Sequence, residues 1–261
     1  MTAAVDTLPT GAAARKLRVS KDIRAGVERD LYALAGGDEF IIDDDLKPHV
    51  AALQAFWDRL DPDPYYGGGE GCYRVRRYSD FDFDPRTGSM TRRNHIRYYQ
   101  SERQNAYVGG KERHFGDVEV ETVDNPFFNE LVRYDFDQYP LPQEYRLRTW
   151  ICQIHMIRIV VAPGSTTPIT PEGVHCDGYP FAGVHLINRV GVVGGESSVY
   201  TSEGERLASR TFERPLDTLW FEDRRMKHYV TPISAAGDVP GHRDLLAISF
   251  SLPDSPYETE E

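Results

Sequence analysis

The chain has 261 residues, with 30 Lys+Arg against 41 Asp+Glu and a formal charge of -11. That length bounds one large core or at most two small ones, and a surface this acidic is repelled by phosphate backbones and anionic lipid, which argues against nucleic-acid and membrane-surface roles. No run approaches the length of a membrane-spanning helix, and the first twenty residues lack an apolar core of signal-peptide length, so a soluble, cytoplasmic protein is expected.

Residues 1–19 read as a flexible arm, and residues 20–261 as a single domain with no linker to divide it. A first helix is expected from near Ser20, with Ile23, Val27, Leu31 and Leu34 at helical spacing and Gly36-Gly37 as its stop. A second follows Asp45 as cap and carries Leu46, Val50, Leu53, Phe56, Trp57 and Leu60 up to Asp61-Pro62-Asp63-Pro64. Residues 72–78 and 94–100 read as strands, with Asp-Pro and Thr-Gly turn chemistry between them. Asn125-Pro126 opens a third helix presenting Phe127, Phe128, Leu131 and Val132. Residues 150–161 form a long β-branched run, and 181–189, 197–201, 218–221 and 245–252 are shorter strands. Helices first and strands afterwards predict an α+β, mainly β fold, with helices packed outside a barrel or double-sheet jelly roll.

Within this frame, His175 and Asp177 are one residue apart, and on an extended strand positions i and i+2 share a face. A second imidazole, His228, would complete a triangle. Two histidines and a carboxylate on one face of a metal, with the other positions open, is the arrangement of non-heme Fe(II) oxygenases; zinc would bind the same three groups. Turn residues flank them: Pro171, Gly173, Gly178 and Gly194-Gly195. Cys176, between the two, should point to the opposite face as a small buried thiol. The three cysteines Cys72, Cys152 and Cys176 form no Cys-x-x-Cys pair, and an odd count argues against a disulfide framework.

The remaining histidines divide by context. His49, His114 and His242 sit among polar residues; His95 and His185 fall in strands as core residues; His155 lies in Gln153-Ile154-His155-Met156-Ile157-Arg158. Strand parity puts Gln153 and His155 on one face and Arg158 on the other, so they share a cavity only if a bulge intervenes. Arg243 opens an apolar strand. A buried guanidinium there needs a partner, and a bidentate carboxylate is its best one.

Together these residues resemble the bacterial 2-oxoglutarate/Fe(II) dioxygenase family that includes free L-isoleucine hydroxylases. The resemblance rests on Thr170-Pro171-Glu172-Gly173-Val174-His175-Cys176-Asp177-Gly178. It continues through Asn188-Arg189, Gly194-Gly195-Glu196-Ser197 with Tyr200, His228 and Gly241-His242-Arg243-Asp244, and upstream through residues 153–158 and Tyr99-Gln100-Ser101 with Asn105 and Gly109-Gly110. It implies a distorted double-stranded β-helix (a cupin-like jelly roll), Fe(II) on His175, Asp177 and His228, and 2-oxoglutarate and O2 as cosubstrates, with Arg243 on the distal carboxylate. For a small amino-acid substrate it points to Glu172 at the ammonium, Arg158 or Arg189 at a carboxylate, Gln100 and Asn105 at the entrance, and Tyr179 and Phe181 on the apolar side. Hydroxylation of a free aliphatic amino acid is the expected reaction, with no catalytic residue beyond the metal ligands.

Cys176 and the bulky Gly178-Tyr179-Pro180-Phe181 depart from the family pattern beside the metal. Desaturation, cyclisation, or a carrier-bound or peptidyl substrate therefore stay open. Outside this chemistry, a cupin-like hydrolase or isomerase could use the same triad without needing Arg243, and a non-catalytic metal-binding barrel would share the fold.

Overall fold

The computed structural model describes residues 15–66, 73–94 and 97–259; most of the expected arm, together with Cys72 and His95, lies outside them. The end of that arm is not an arm. Leu17–Val19 pairs antiparallel with Phe40–Ile42, and Leu17 is fully buried.

The first helix, Ile23–Asp30, is capped by Asp22, whose carboxylate accepts from the Ala25 N–H at 2.9 Å. It ends at Leu31, in the left-handed region at φ 68°, well before the glycine pair. Tyr32–Ala35 then leaves as a strand paired with Thr218–Phe221. Leu34 fits helical spacing, but a strand edge waiting to be paired decides its conformation. The second helix, Lys47–Ala55, has Pro48 in its first turn and no cap from Asp45, whose carboxylate is taken by Lys16. It tightens into a 3₁₀ turn, Phe56–Arg59, which buries Trp57. Pro126–Gln138 starts as read: the Asn125 side chain accepts from the N–H groups of Phe127 and Phe128, both at 3.0 Å.

The principal sheet has eight strands. Tyr32–Ala35, Thr218–Phe221, Phe181–Val190, Gly241–Ser251, Trp150–Val161, Arg74–Asp84 and Asp61–Pro62 lie side by side, and Ser89–Arg92 folds back on Arg74–Asp84. The pairs are antiparallel. None of the described residues of 94–100 lies in a strand; they make one isolated bridge, Tyr98 to Arg113. Opposite lie two short antiparallel sheets: Arg206–Thr211, Glu196–Thr201 and Met226–Val230, and then Val192–Gly194, Ile233–Ala235 and Thr166–Thr167. Two facing antiparallel sheets with helices outside make the expected jelly roll.

Alternation along the long strands separates two environments. Trp150, Cys152, Ile154 and Met156, with Leu246, Ile248 and Phe250, join Phe127, Phe128, Leu131 and Phe136 of the helix Pro126–Gln138 in the largest core. The intervening residues, His155, Ile157 and Ile159 with Leu245, Ala247 and Ser249, turn inward and line a cavity between the sheets. Phe181 belongs to the helix side, stacked on Tyr139 at 4.3 Å, and so does not shape the cavity. Among the described residues, no helix is long and apolar enough to cross a membrane.

Candidate active site

The segment carrying His175 and Asp177 is extended but lies outside any regular strand; its one β contact is a bridge to His228. There the two backbones exchange hydrogen bonds, His175 N–H to His228 O at 3.1 Å and His228 N–H to His175 O at 2.8 Å. That exchange holds the two imidazoles side by side, with ring centroids 4.2 Å apart.

The turn that returns Asp177 to the site is built around Asp223. Its buried carboxylate accepts from the backbone N–H groups of Asp177 at 3.1 Å, Gly178 at 2.7 Å and Tyr179 at 3.0 Å. Gly178 sits at φ 89°, a conformation open to glycine at little cost. One ligand atom from each of His175, Asp177 and His228 then falls within 4.8 Å of the others. The Asp177 oxygens lie 3.7 Å from His175 Nε2 and 3.7 Å from His228 Nε2.

The other ring nitrogens are committed elsewhere. His175 Nδ1 is 2.9 Å from Gly173 O, and His228 Nδ1 is 3.3 Å from Asp223 Oδ1. Both Nε2 atoms therefore face the gap, the tautomer a metal requires. Burial alone would lower the pKa of His228, but the hydrogen bond to Asp223 and the charge of Asp177 raise it overall. Burial works against the Asp177 carboxylate too, yet the two imidazoles hold its pKa below the ordinary value. The gap is electrostatically a cation site. Imidazole, imidazole and carboxylate suit a divalent iron, so the three residues fit the metal the resemblance implies.

Gln100 completes the shell, its Nε2 donating to Asp177 Oδ1 at 2.8 Å while its Oε1 accepts from Arg113 Nη2 at 2.6 Å. It braces Asp177 and also lines the cavity, as does Asn105. Asn105 donates to Tyr66 Oη at 3.2 Å and to Gln100 Oε1 at 3.3 Å, and accepts from the N–H groups of Tyr107 at 3.1 Å and Val108 at 2.9 Å; these bonds brace the loop that carries Gln100. Tyr179 and Glu172 line the same cavity. Glu172 Oε1 lies 3.6 Å from His175 Nε2, and its Oε2 has no hydrogen-bond partner.

Arg243 sits on the cavity-facing side of its strand, fully buried. Its Nη2 donates to Ser197 Oγ at 3.4 Å, and its Nε and Nη1 have no partner. Burial, and then the charge of Arg189, push its pKa down to about 9, which measures how poorly the charge is compensated. A guanidinium seldom gives up its proton, so two orphaned donors on one fork call for a carboxylate. That fits 2-oxoglutarate. Gly195 stands beside it: a Cβ there would lie 3.5 Å from Arg243 Cδ and 3.0 Å from Ile233 Cγ2, at φ 73°.

The structure does not bring Arg158 to the cavity. Parity turns it to the other face, where Asp244 binds its Nε at 2.6 Å and Nη2 at 2.8 Å, and Asp58 its Nη1 at 2.8 Å. Arg189 is swung inward by a register shift where Asp244 and Leu245 meet Asn188 and Leu186. It too misses the cavity, donating to Val192 O at 3.3 Å and Gly194 O at 2.8 Å. Cys176 is half-buried rather than buried. His185 is a satisfied core residue, 2.7 Å from Asp135 and 2.9 Å from Thr218 Oγ1.

Reading the sequence missed Arg74, Arg76, Tyr98 and Arg113, which line the cavity, and Asp223 beneath it. Arg74, Arg76 and Tyr78 alternate on one strand face, the same inward-polar signal that singled out His155. Tyr98, Arg113 and Asp223 lie in irregular segments and had no such signal. His155 itself is neutral: burial, and then the charge of Arg76, hold its pKa well below the ordinary value, and its Nδ1 accepts from Arg76 Nη2.

Comparison with known proteins agrees with this geometry. Residues 54–249 match the family model described as 2OG-Fe dioxygenase. L-isoleucine-4-hydroxylase of Bacillus thuringiensis is 26% identical over 211 residues, covering 79% of this chain and 85% of that one. The crystal structure of IDO from Bacillus thuringiensis superposes with a TM-score of 0.73 at 22% identity, over 89% of this chain and 98% of that one, a likeness of fold. A BsmA homologue from Methylobium petroleophilum does so with a TM-score of 0.70 at 27% identity, over 87% and 91% of the two chains. With the matched span running from the second helix to the last strand, the chain belongs to the 2OG-Fe dioxygenase family, whose enzymes use Fe(II), 2-oxoglutarate and O2.

Proposed function

We propose that the protein hydroxylates an unactivated C–H of a free, small, aliphatic amino acid. The observation that carries this reading is Glu172, a buried carboxylate with one oxygen unpartnered, set beside His175 in a cavity whose apolar wall includes Ile157, Ile159, Val184 and Leu245. A buried carboxylate oxygen with no hydrogen-bond donor is costly, and a substrate ammonium would relieve it. The relative named as an isoleucine hydroxylase supports the same substrate class.

When bound, iron with 2-oxoglutarate and O2 supplies the oxidation of a C–H bond that protein side chains cannot attack. The residues do the rest. His175, Asp177 and His228 would hold the metal through one atom each, and Arg243 the distal carboxylate of the cosubstrate. Glu172 would draw the ammonium toward the metal. The isoleucine and leucine walls keep water from the reacting carbon.

The test is succinate formation and product mass with Fe(II), 2-oxoglutarate and a panel of free amino acids. One aliphatic member should give a product heavier by about 16 mass units, one oxygen atom; loss of two hydrogens instead would mean desaturation or cyclisation. Glu172→Gln should raise the amino-acid requirement strongly while uncoupled 2-oxoglutarate decarboxylation persists. Turnover of N-acetylated or carrier-linked amino acids as fast as free ones would replace this reading with a tethered substrate.

A further inference from the structure

Two guanidiniums in the cavity face no anion. Arg76 and Arg113 are 3% and 1% exposed. Arg76 Nη2 donates to the neutral His155 and Arg113 Nη2 to the Gln100 amide oxygen; the Nε of each has no partner. Among the described residues neither has a carboxylate within ion-pair distance, and the charge of Asp63 acts on Arg76 only from beyond it. Aromatic faces hold them instead: Arg76 lies 4.0 Å from the Phe115 centroid and 5.3 Å from that of Tyr98, and Arg113 lies 4.6 Å from Tyr98. Ring quadrupoles offset part of a desolvated charge, not all of it. Arg74, on the same strand face as Arg76, does face a carboxylate, Asp63 at 3.4 Å.

This corner is separate from Arg243. In the sheet register Arg76 pairs with Ile157 from one side, while Arg243 pairs with Ile159 from the other. The strand Trp150–Val161 runs between them. With neighbouring strands about 4.8 Å apart, the two arginine backbones stand on the order of 10 Å apart across a ridge of isoleucine. The two forks also sit in different surroundings, Arg243 beside Ser197 and Phe212, Arg76 beside His155 and Phe115.

We infer that Arg76 and Arg113 form the site for a free carboxylate of the substrate, which therefore enters as a carboxylate and not as an ester, amide or thioester. A guanidinium fork matches the two oxygens of a carboxylate, and phosphate is the competing anion that the test below includes. A carrier-linked aminoacyl group has no such charge, because its carboxyl carbon is bonded to the carrier. The inference rests on the amino-acid reading above, and it gives the opposite end of that substrate a partner: ammonium at Glu172, carboxylate at Arg76 and Arg113.

The experiment is calorimetric titration of the protein loaded anaerobically with Fe(II) and 2-oxoglutarate. Three matched pairs serve as probes: L-isoleucine and L-isoleucinamide, isovalerate and isovaleramide, propionate and propionamide. In each pair that binds, the carboxylate should be tighter by at least about tenfold, the scale of a charge-assisted contact. Arg76→Gln should abolish that preference with 2-oxoglutarate affinity unchanged, and Arg113→Lys should weaken it. If Arg76→Gln does not fold, the parent comparison and Arg113→Lys decide. Equal binding of acid and amide, no binding by any pair, tighter binding of inorganic phosphate, or a shift in 2-oxoglutarate affinity in Arg76→Gln overturns the inference. A preserved carboxylate preference with no amino acid turned over would instead sink the amino-acid reading and leave the anion site standing.

Discussion

Each imidazole of the triad is oriented through the nitrogen a metal does not use, His175 by Gly173 O and His228 by Asp223. Because each residue offers one of only three protein ligand atoms, His175→Ala, Asp177→Ala and His228→Ala should each abolish iron binding or turnover while circular dichroism stays near the parent. Full iron stoichiometry with lost activity in all three would move the metal elsewhere. Arg243 is fully buried with two unanswered donors on one fork, and a charge-assisted bond to carboxylate contributes about 1.5–3 kcal/mol. Arg243→Ala should therefore raise the apparent constant for 2-oxoglutarate by about tenfold to a hundredfold, with far less effect on the amino acid. Arg243→Lys should recover only part, since the planar fork is gone. An unchanged cosubstrate dependence would leave the orphaned fork without the role assigned to it.

At the scale of elements, the site depends on irregular segments held by rigid ones. The turn from Asp177 to Tyr179 leans on one carboxylate, Asp223, through three backbone N–H groups. Asp223→Ala removes the two oxygens that accept all three bonds, and the partner of His228, at once. Outer-shell losses of this kind cost about 10–100-fold in metal affinity, so an anaerobic iron titration should show a weakening on that scale with the fold retained; parent affinity in the variant would show that the turn holds itself. The same irregularity explains what the sequence hid. The motif Pro171–Gly178 was legible as turn chemistry around ligands, but the spacing rule used to join His175 and Asp177 presumed a strand, and the structure joins them in an extended loop bridged to His228. Residues 94–100 looked like a strand, but the described residues 97–100 belong to the loop that delivers Gln100 to Asp177. Helical spacing at Leu31 and Leu34 was equally persuasive, and pairing with Thr218–Phe221 overrode it.

For the whole molecule, ligands that bind only the folded chain add their binding energy to its stability. Iron at about a hundred times its dissociation constant should add roughly 2.7 kcal/mol, which for a chain of this size is a rise of about 5–10 °C in the thermal midpoint. Differential scanning under anaerobic conditions should show the rise in the parent and lose it in His175→Ala; an equal rise in that variant would mean that binding occurs away from the triad. The architecture behind this linkage was largely readable in one dimension. Alternation in residues 150–161 and 241–251 separates a helix-facing core from an inward face, and the same alternation placed His155 inward and Arg158 outward. Local chemistry also carried the helix start at Asn125 and the nature of the ligands. Which cations stay without a partner is a different kind of fact. Arg158, Arg189, Arg243, Arg76 and Arg113 look alike in a sequence, and only the folded chain decides that Asp244 answers the first, backbone carbonyls the second, and no carboxylate of the described residues the other three. Pairing of charges depends on sheet register and on loops that meet across the barrel, distances that local propensity and periodicity do not encode.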